Sequence, residues 1–183
     1  MPRKRLVLIT GMSGSGKTTL TGLFEGHGYS TITMGDVIRD IASKRGLEPI
    51  PDILGHIAKE IREAGGDAAV AELCIEKLRN TPNDRVVVDG IRSVAEVEAF
   101  NESFDVVLVA VHASPKTRYR RLRGRGRTDD PEDWEAFRER DLRELGFSMG
   151  WAIALADHMV VNEGTIGDLE WAFEGLLGRL GGT

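Results

Sequence analysis

Eight consecutive residues, Gly11-Met12-Ser13-Gly14-Ser15-Gly16-Lys17-Thr18, carry the spacing G-x-x-x-x-G-K-[ST] of a P-loop, or Walker A motif. Glycines let such a loop turn so that successive backbone amides converge on an anion, and the helix that follows adds its dipole. Lys17 is the residue type that reaches the β and γ oxygens of a triphosphate, Thr18 supplies a hydroxyl for Mg²⁺, and Thr19 follows in the same turn. The pattern implies a nucleoside triphosphate site.

Two further segments carry chemistry that suits such a site. Arg85 to Asp89 (RVVVD) reads as a short apolar strand ending in a carboxylate, which makes Asp89 the candidate for the Mg²⁺ shell. Gly90 and Arg92 follow in DGIRS, so a guanidinium stands just past the strand end and can grip a second phosphate. Gly35-Asp36-Val37-Ile38-Arg39 follows another apolar run and leaves the same edge. Asp36 can cap a new helix there, and an acid and an arginine one turn apart also suit a phosphoryl acceptor. A phosphate acceptor is already ionised and leaves Asp36 to orient water or metal, whereas a hydroxyl acceptor needs Asp36 as a base.

Nine of the 18 arginines fall between Arg118 and Arg143. Arg123, Arg125 and Arg127, separated by glycines, read as a flexible cationic loop able to close on a triphosphate. Asp129, Asp130, Glu132, Asp133 and Glu135 follow at once, a mixture better suited to a lid than to a nucleic-acid groove. Arg140, Asp141, Arg143 and Glu144 read as a salt-bridged helix surface. His27, His56, His112 and His158 lack metal-ligand spacing, Cys74 reads as filling a helix face, and Trp134, Trp151 and Trp171 read as packing residues.

These groups must be held by a scaffold, and the periodicities describe one. Apolar runs at 5–10, 29–33, 85–89, 105–111 and 158–162 have the character of buried parallel strands. Helical spacing separates them: Lys17 to Phe24, Ile53 to Ile61, Val70 to Leu78, Pro115 to Leu122, Pro131 toward Leu145 and Ile166 to Leu180. Strand and helix alternate, so the expected fold is α/β, a three-layer doubly wound parallel sheet of five strands. One domain spanning residues 1–183 is expected, with a helical acceptor-binding insertion at about 38–80 and a short arginine-rich lid at about 123–140.

Composition sets outer bounds. A chain of 183 residues with 41% hydrophobic and 29% charged residues can bury a sizeable core. A net charge of −5 argues against broad affinity for nucleic acid or membranes, and no apolar run reaches the length of a membrane span. The first residues are too brief for a signal peptide, so a cytoplasmic location is expected. Oligomeric state leaves no mark on this sequence.

Taken together the motifs resemble those of nucleoside monophosphate kinases, adenylate kinase most of all. GDVIR looks like the acceptor motif GDMLR and DGIR like DGFPR. By that resemblance Arg39 and Arg92 bind the acceptor phosphate and Asp89 holds the Mg²⁺ water shell. Arg121 falls where the family stacks an arginine on the donor adenine, and Arg125 where one contacts donor phosphates. Arg127, Asp129, Asp130 and Arg138 resemble the far side of the lid. A narrower match, carried by MGDVIR, DGIRS, HASPKTR, RGRTDDP and ALADHMVVNEGTI, resembles a chiefly archaeal family of adenylate-kinase-related P-loop proteins. The AD-x-M-V-x-N-x-G ending is similar to dephospho-coenzyme A kinases, which gives Asn162, Gly164 and Thr165 a place beside the donor adenine. Met34 departs from the small hydroxyl residue usual before Gly-Asp in adenylate kinases, and DGIRS lacks the proline of DGFPR.

The resemblance implies an ATP- and Mg²⁺-dependent phosphotransferase acting on a small phosphorylated acceptor, a nucleoside monophosphate. Lys17, Asp36, Arg125, Arg127 and Arg138 would be its catalytic groups. The alternatives are dephospho-coenzyme A kinase-like transfer to a hydroxyl, and a nucleotide-gated ATPase that binds RNA or protein.

Overall fold

A computed structural model describes residues 4–127, 130–146 and 148–181. Five parallel strands form its sheet: β1 (Arg5–Thr10), β2 (Ser30–Thr33), β3 (Arg85–Ile91), β4 (Asp105–His112) and β5 (His158–Val161), in the spatial order β2-β3-β1-β4-β5. The expected α/β fold is the observed one. β1 lies at the centre, and its Leu6, Leu8 and Ile9 are fully buried, which is why this run is apolar throughout rather than alternating.

Helices cover both faces. Leu6, Leu8, Val86 and Val88 point to one side and pack under α2 (Met34–Lys44), α3 (Pro51–Gly65), α4 (Ala69–Arg79) and α5 (Val94–Ser103). Val7, Ile9, Val87 and Val109 point to the other side, against α1 (Lys17–Gly26) and α9 (Ile166–Gly181). Cys74 is buried in the first layer, as expected of a residue filling a helix face. The remaining helices are α6 (Pro115–Arg125), α7 (Trp134–Gly146) and the short α8 (Met149–Ala154). None of the helices is long and apolar enough to cross a membrane among the described residues.

Several local expectations need correction. The cap of α2 is Thr33 rather than Asp36. Thr33 Oγ1 accepts from the Asp36 N–H at 3.0 Å, and Asp36 Oδ2 accepts from the Thr33 N–H at 3.3 Å, a reciprocal capping box. α7 starts at Trp134 rather than Pro131, because Asp133 Oδ1 accepts from the Ala136 N–H at 2.8 Å and so takes the capping position. α6 continues through Arg123 and Arg125, so these arginines belong to a helix and not to a loop, which begins at Gly126. Trp134 packs edge-on against Tyr119, but Trp151 is 69% and Trp171 81% exposed. α9 buries the stripe Leu169, Phe173, Leu176 and Leu180, which leaves Trp171 on the opposite side.

β3 also runs further than RVVVD. Ile9 pairs with Asp89, yet Thr10 pairs with Ile91, so one residue is extra on β3. Gly90 absorbs the slip at φ 100°, a conformation that side chains rarely adopt. The bulge sits at the carboxyl end of the sheet, beside the P-loop.

Candidate functional site

β1 delivers the chain into the loop of Gly11 to Gly16, and α1 begins at Lys17. Gly16 lies at φ 105°, and a Cβ there would run into the Asn162 side-chain amide, so the position tolerates only hydrogen. Asn162 belongs to the loop after β5 and is 6% exposed. Its Nδ2 donates to Ser15 O at 2.8 Å, tying that loop to the P-loop. Lys17 Nζ donates to Gly11 O at 2.6 Å and to Met12 O at 3.2 Å, folded back over its own loop. Burial pushes its ammonium below the ordinary range, while the Asp89 and Glu144 carboxylates oppose that shift.

The P-loop faces a cavity of about 340 Å³ lined by Ser13, Gly14, Gly16, Lys17, Thr18, Thr19, Arg121, Leu122, Arg125 and Arg127. A second cavity of about 270 Å³ shares Gly16, Thr19 and Arg121 and adds Asn162, Gly164 and Thr165. The residues expected at the phosphates and at the donor base thus line neighbouring hollows. Arg121 joins the two: Nη1 donates to Asn162 O at 2.9 Å and Nη2 to Asn162 Oδ1 at 3.2 Å, fixing the guanidinium. Thr165 accepts the Asp168 N–H through its hydroxyl at 3.3 Å and caps α9.

Thr18 is exposed at the first turn of α1, and Asp89 is 8% exposed at the end of β3. Asp89 Oδ1 is buried without a hydrogen-bond partner. Burial pushes this carboxyl above the ordinary range, restrained by Lys17 and by the Thr21 hydroxyl. A buried carboxylate oxygen without a donor is the kind of group that a hydrated cation satisfies. Thr18 and Asp89 are oxygen donors and fit Mg²⁺. Among the described residues no cluster of three or more His, Cys, Asp or Glu could hold a metal alone, so the ion's remaining ligands would be phosphate and water.

The second half of the site lies at the same sheet edge. β2 pairs with β3 so that Thr33 stands opposite Asp89, and α2 starts there. Arg39, one turn into α2, donates through Nε to Asp36 Oδ1 at 3.1 Å and through Nη2 to Asp36 and to Thr33 Oγ1. A side chain at Gly35 would press on that guanidinium, with Arg39 Nη1 at 3.3 Å from a Cβ. Burial raises the Asp36 carboxyl, but the hydrogen bonds from Thr33 and Arg39 outweigh it and hold Asp36 below the ordinary range. Arg92 is exposed, and no carboxylate lies within ion-pair distance of it among the described residues. Its charge acts on both Lys17 and Asp89.

Arg92 is positioned by a residue that sequence reasoning missed. Glu96, fully buried, accepts the Arg92 N–H at 2.7 Å and receives Arg62 Nη2 of α3 at 3.3 Å. The signal was present as Ser93 followed three residues later by Glu96, a helix start.

On the lid side the sequence reading changes most. Asp141 and Glu144 do not belong to a solvated helix surface, although Arg140 and Glu144 do pair one turn apart. Arg118, 4% exposed, forks onto Asp141 at 2.7 and 2.6 Å and also donates to Ser13 O at 3.2 Å. Glu144 accepts from the Ser13 N–H at 3.0 Å and from the Ser13 hydroxyl, with Arg140 Nε at 3.3 Å. Phe137, Asp141 and Glu144 recur at helical spacing on one face of α7, which is the signal that marked them. Arg125 pairs with Asp130, and Arg123 donates to Glu132 O. Asp130 also accepts the Arg127 N–H at 2.9 Å, leaving the Arg127 side chain on the cavity wall. Arg138 is exposed on α7 and is not among the residues lining that cavity. Asp129 lies outside the described residues.

Comparison with known proteins agrees with this architecture. A family model described as an AAA domain matches residues 7–143. A UPF0200 protein of Hyperthermus butylicus is 46% identical over 177 residues, covering 97% of this chain and 95% of its own length. Among solved structures, a shikimate kinase from Bacteroides thetaiotaomicron superposes with a TM-score of 0.66 at 18% identity, over 96% of this chain and 97% of its own. A gluconokinase from Sinorhizobium meliloti 1021 gives 0.56 at 19% identity, over 98% and 95%. At such identities the likeness is one of fold, that of the P-loop kinases.

Proposed function

The chain belongs to the UPF0200 family and carries an AAA domain with a P-loop kinase fold, and on that premise we propose that it transfers the γ-phosphoryl group of ATP to a small phosphorylated acceptor, a nucleoside monophosphate. The observation that carries this choice is the state of Asp36. Its Oδ1 accepts from Arg39 and its Oδ2 from the Thr33 N–H, so the carboxylate braces the guanidinium and is poorly disposed to take a proton. A nucleophile at this edge must therefore arrive ionised, as a phosphate oxygen does.

In the proposed reaction an acceptor phosphate oxygen attacks the γ phosphorus, the bond to the β-bridging oxygen breaks, and ADP leaves with the released electron pair. Arg39 and Arg92 align the acceptor, Lys17 and the lid arginines Arg125 and Arg127 balance the charge spreading over the γ oxygens, and Arg121 with Asn162, Gly164 and Thr165 flanks the donor base. Thr18 and Asp89 would hold Mg²⁺, which would supply neutralisation of the charge on the phosphates. The whole chain is taken as one catalytic unit, with α3 and α4 over the acceptor and the α6–α7 turn as the lid.

The test is transfer from γ-labelled ATP with Mg²⁺ to a panel of nucleoside monophosphates and dephospho-coenzyme A, with Lys17→Ala as control. Label on a monophosphate, lost in Lys17→Ala and reduced less than about tenfold in Asp36→Asn, is expected. Transfer only to dephospho-coenzyme A, with turnover abolished by Asp36→Asn at unchanged ATP affinity, would replace the monophosphate with a hydroxyl acceptor. Label appearing only as inorganic phosphate would replace the kinase with an ATPase.

A further inference from the structure

We propose that Glu144 is a charge gate on the P-loop, an internal anion that a nucleoside triphosphate must displace before it can seat, releasing the last turn of α7. The inference rests on the nucleotide-binding reading of the site. It begins from a contact spanning 131 residues: the Glu144 carboxylate takes the Ser13 amide and hydroxyl, on the loop whose amides would otherwise receive phosphate oxygens.

Three observations support the displacement. Ser13 lines the cavity in front of the P-loop, and Glu144, only 9% exposed, holds its carboxylate on that residue, so its charge stands one hydrogen bond from the cavity wall. Lys17 is turned back to the Gly11 and Met12 carbonyls while Glu144 acts on it electrostatically, so the loop is neutralised from within the chain. The end of α7 is also built to move. Upstream the helix is pinned by Arg118 on Asp141 and by buried Phe137. Downstream, Leu142 is 64% and Leu145 44% exposed, so Glu144 is the one buried side chain of that turn. Ser148, just beyond, is the one non-glycine residue at positive φ among the described residues, at 66°, a strained link suited to a pivot.

The charge logic fixes the signature. Glu144→Gln keeps the size and much of the hydrogen bonding but removes the negative charge, so its benefit must grow with the number of phosphates on the ligand. Binding of fluorescent ATP, ADP and AMP analogues to the wild-type protein and to Glu144→Gln tests it. About tenfold tighter ATP binding, a smaller gain for ADP and none for AMP is expected. Ser13→Ala, which removes one of the two hydrogen bonds to the carboxylate, should shift ATP affinity in the same direction by less, and stands in should Glu144→Gln fail to fold. In wild type, ATP should raise amide exchange over residues 142–146 while AMP should not. Equal or weaker ATP binding in the variants, or a gain of the same size for all three nucleotides, overturns the gate while leaving nucleotide binding intact. No binding by wild type or variants removes the nucleotide site itself.

Discussion

Arg118 and Asp141 meet fork to fork across the seam of α6 and α7, at 2.7 and 2.6 Å, with the Arg118 guanidinium stacked 5.0 Å from the Phe137 ring centroid. Both charges are largely withdrawn from water, so removing one strands the other. Asp141→Ala should cost about 3–5 kcal/mol of stability, which for a chain of this size lowers Tm by on the order of 10 °C. The paired change of Arg118 and Asp141 to leucine should recover much of the loss. Urea and thermal unfolding of the single and double variants check both expectations.

Glu144 makes stability depend on acid. Burial raises its carboxyl, but hydrogen bonds from the Ser13 hydroxyl and amide, with the Lys17 and Arg140 charges, hold it below the ordinary value of 4.5. A depressed carboxyl favours the folded state above its unfolded value and loses that contribution as pH falls through the folded value. Unfolding free energy should therefore fall as pH drops below about 4.5, and the slope should be smaller in Glu144→Gln. An identical slope in the two proteins would show that Glu144 is not among the groups responsible.

Cys74 is fully buried on the inner face of α4, and burial pushes its thiol up to about 12. The thiolate is the reactive form, so a disulfide reagent at pH 8 should leave the native protein essentially unmodified and titrate one thiol after denaturation. Stoichiometric reaction without unfolding would mean that the helical layer opens readily.

Asn162 braces the P-loop from β5. Asn162→Ala leaves Ser15 O without its 2.8 Å donor and takes from Arg121 Nη2 its 3.2 Å side-chain acceptor, while the backbone contact of Nη1 to residue 162 remains. A stability cost of about 1–3 kcal/mol is expected, and the nucleotide contacts flanked by Arg121 should weaken beyond it. ATP and AMP affinities, measured beside urea unfolding, separate the two effects.

The amino-acid sequence by itself determined the elements. The P-loop and the five apolar runs are local patterns of period and turn chemistry, so the sheet and the two faces that cover it were legible. Stripes were legible as well: Leu169, Phe173, Leu176 and Leu180 mark the inner face of α9, and that phase places Trp171 outside, against the economical assumption that a tryptophan packs. The cap of α2 was a matter of three residues, where Thr33 and Asp36 are both competent and only the reciprocal geometry chooses.

Only the tertiary structure decided what α7 is for. Its charges fit a solvated face by local rules, because an acid and a base one turn apart satisfy each other on any exposed helix. Folding brings the helix against a loop more than a hundred residues away, where Asp141 meets Arg118 and Glu144 meets Ser13. Partners that distant are set by the path of the chain around the sheet, and no pattern confined to one helix contains that path.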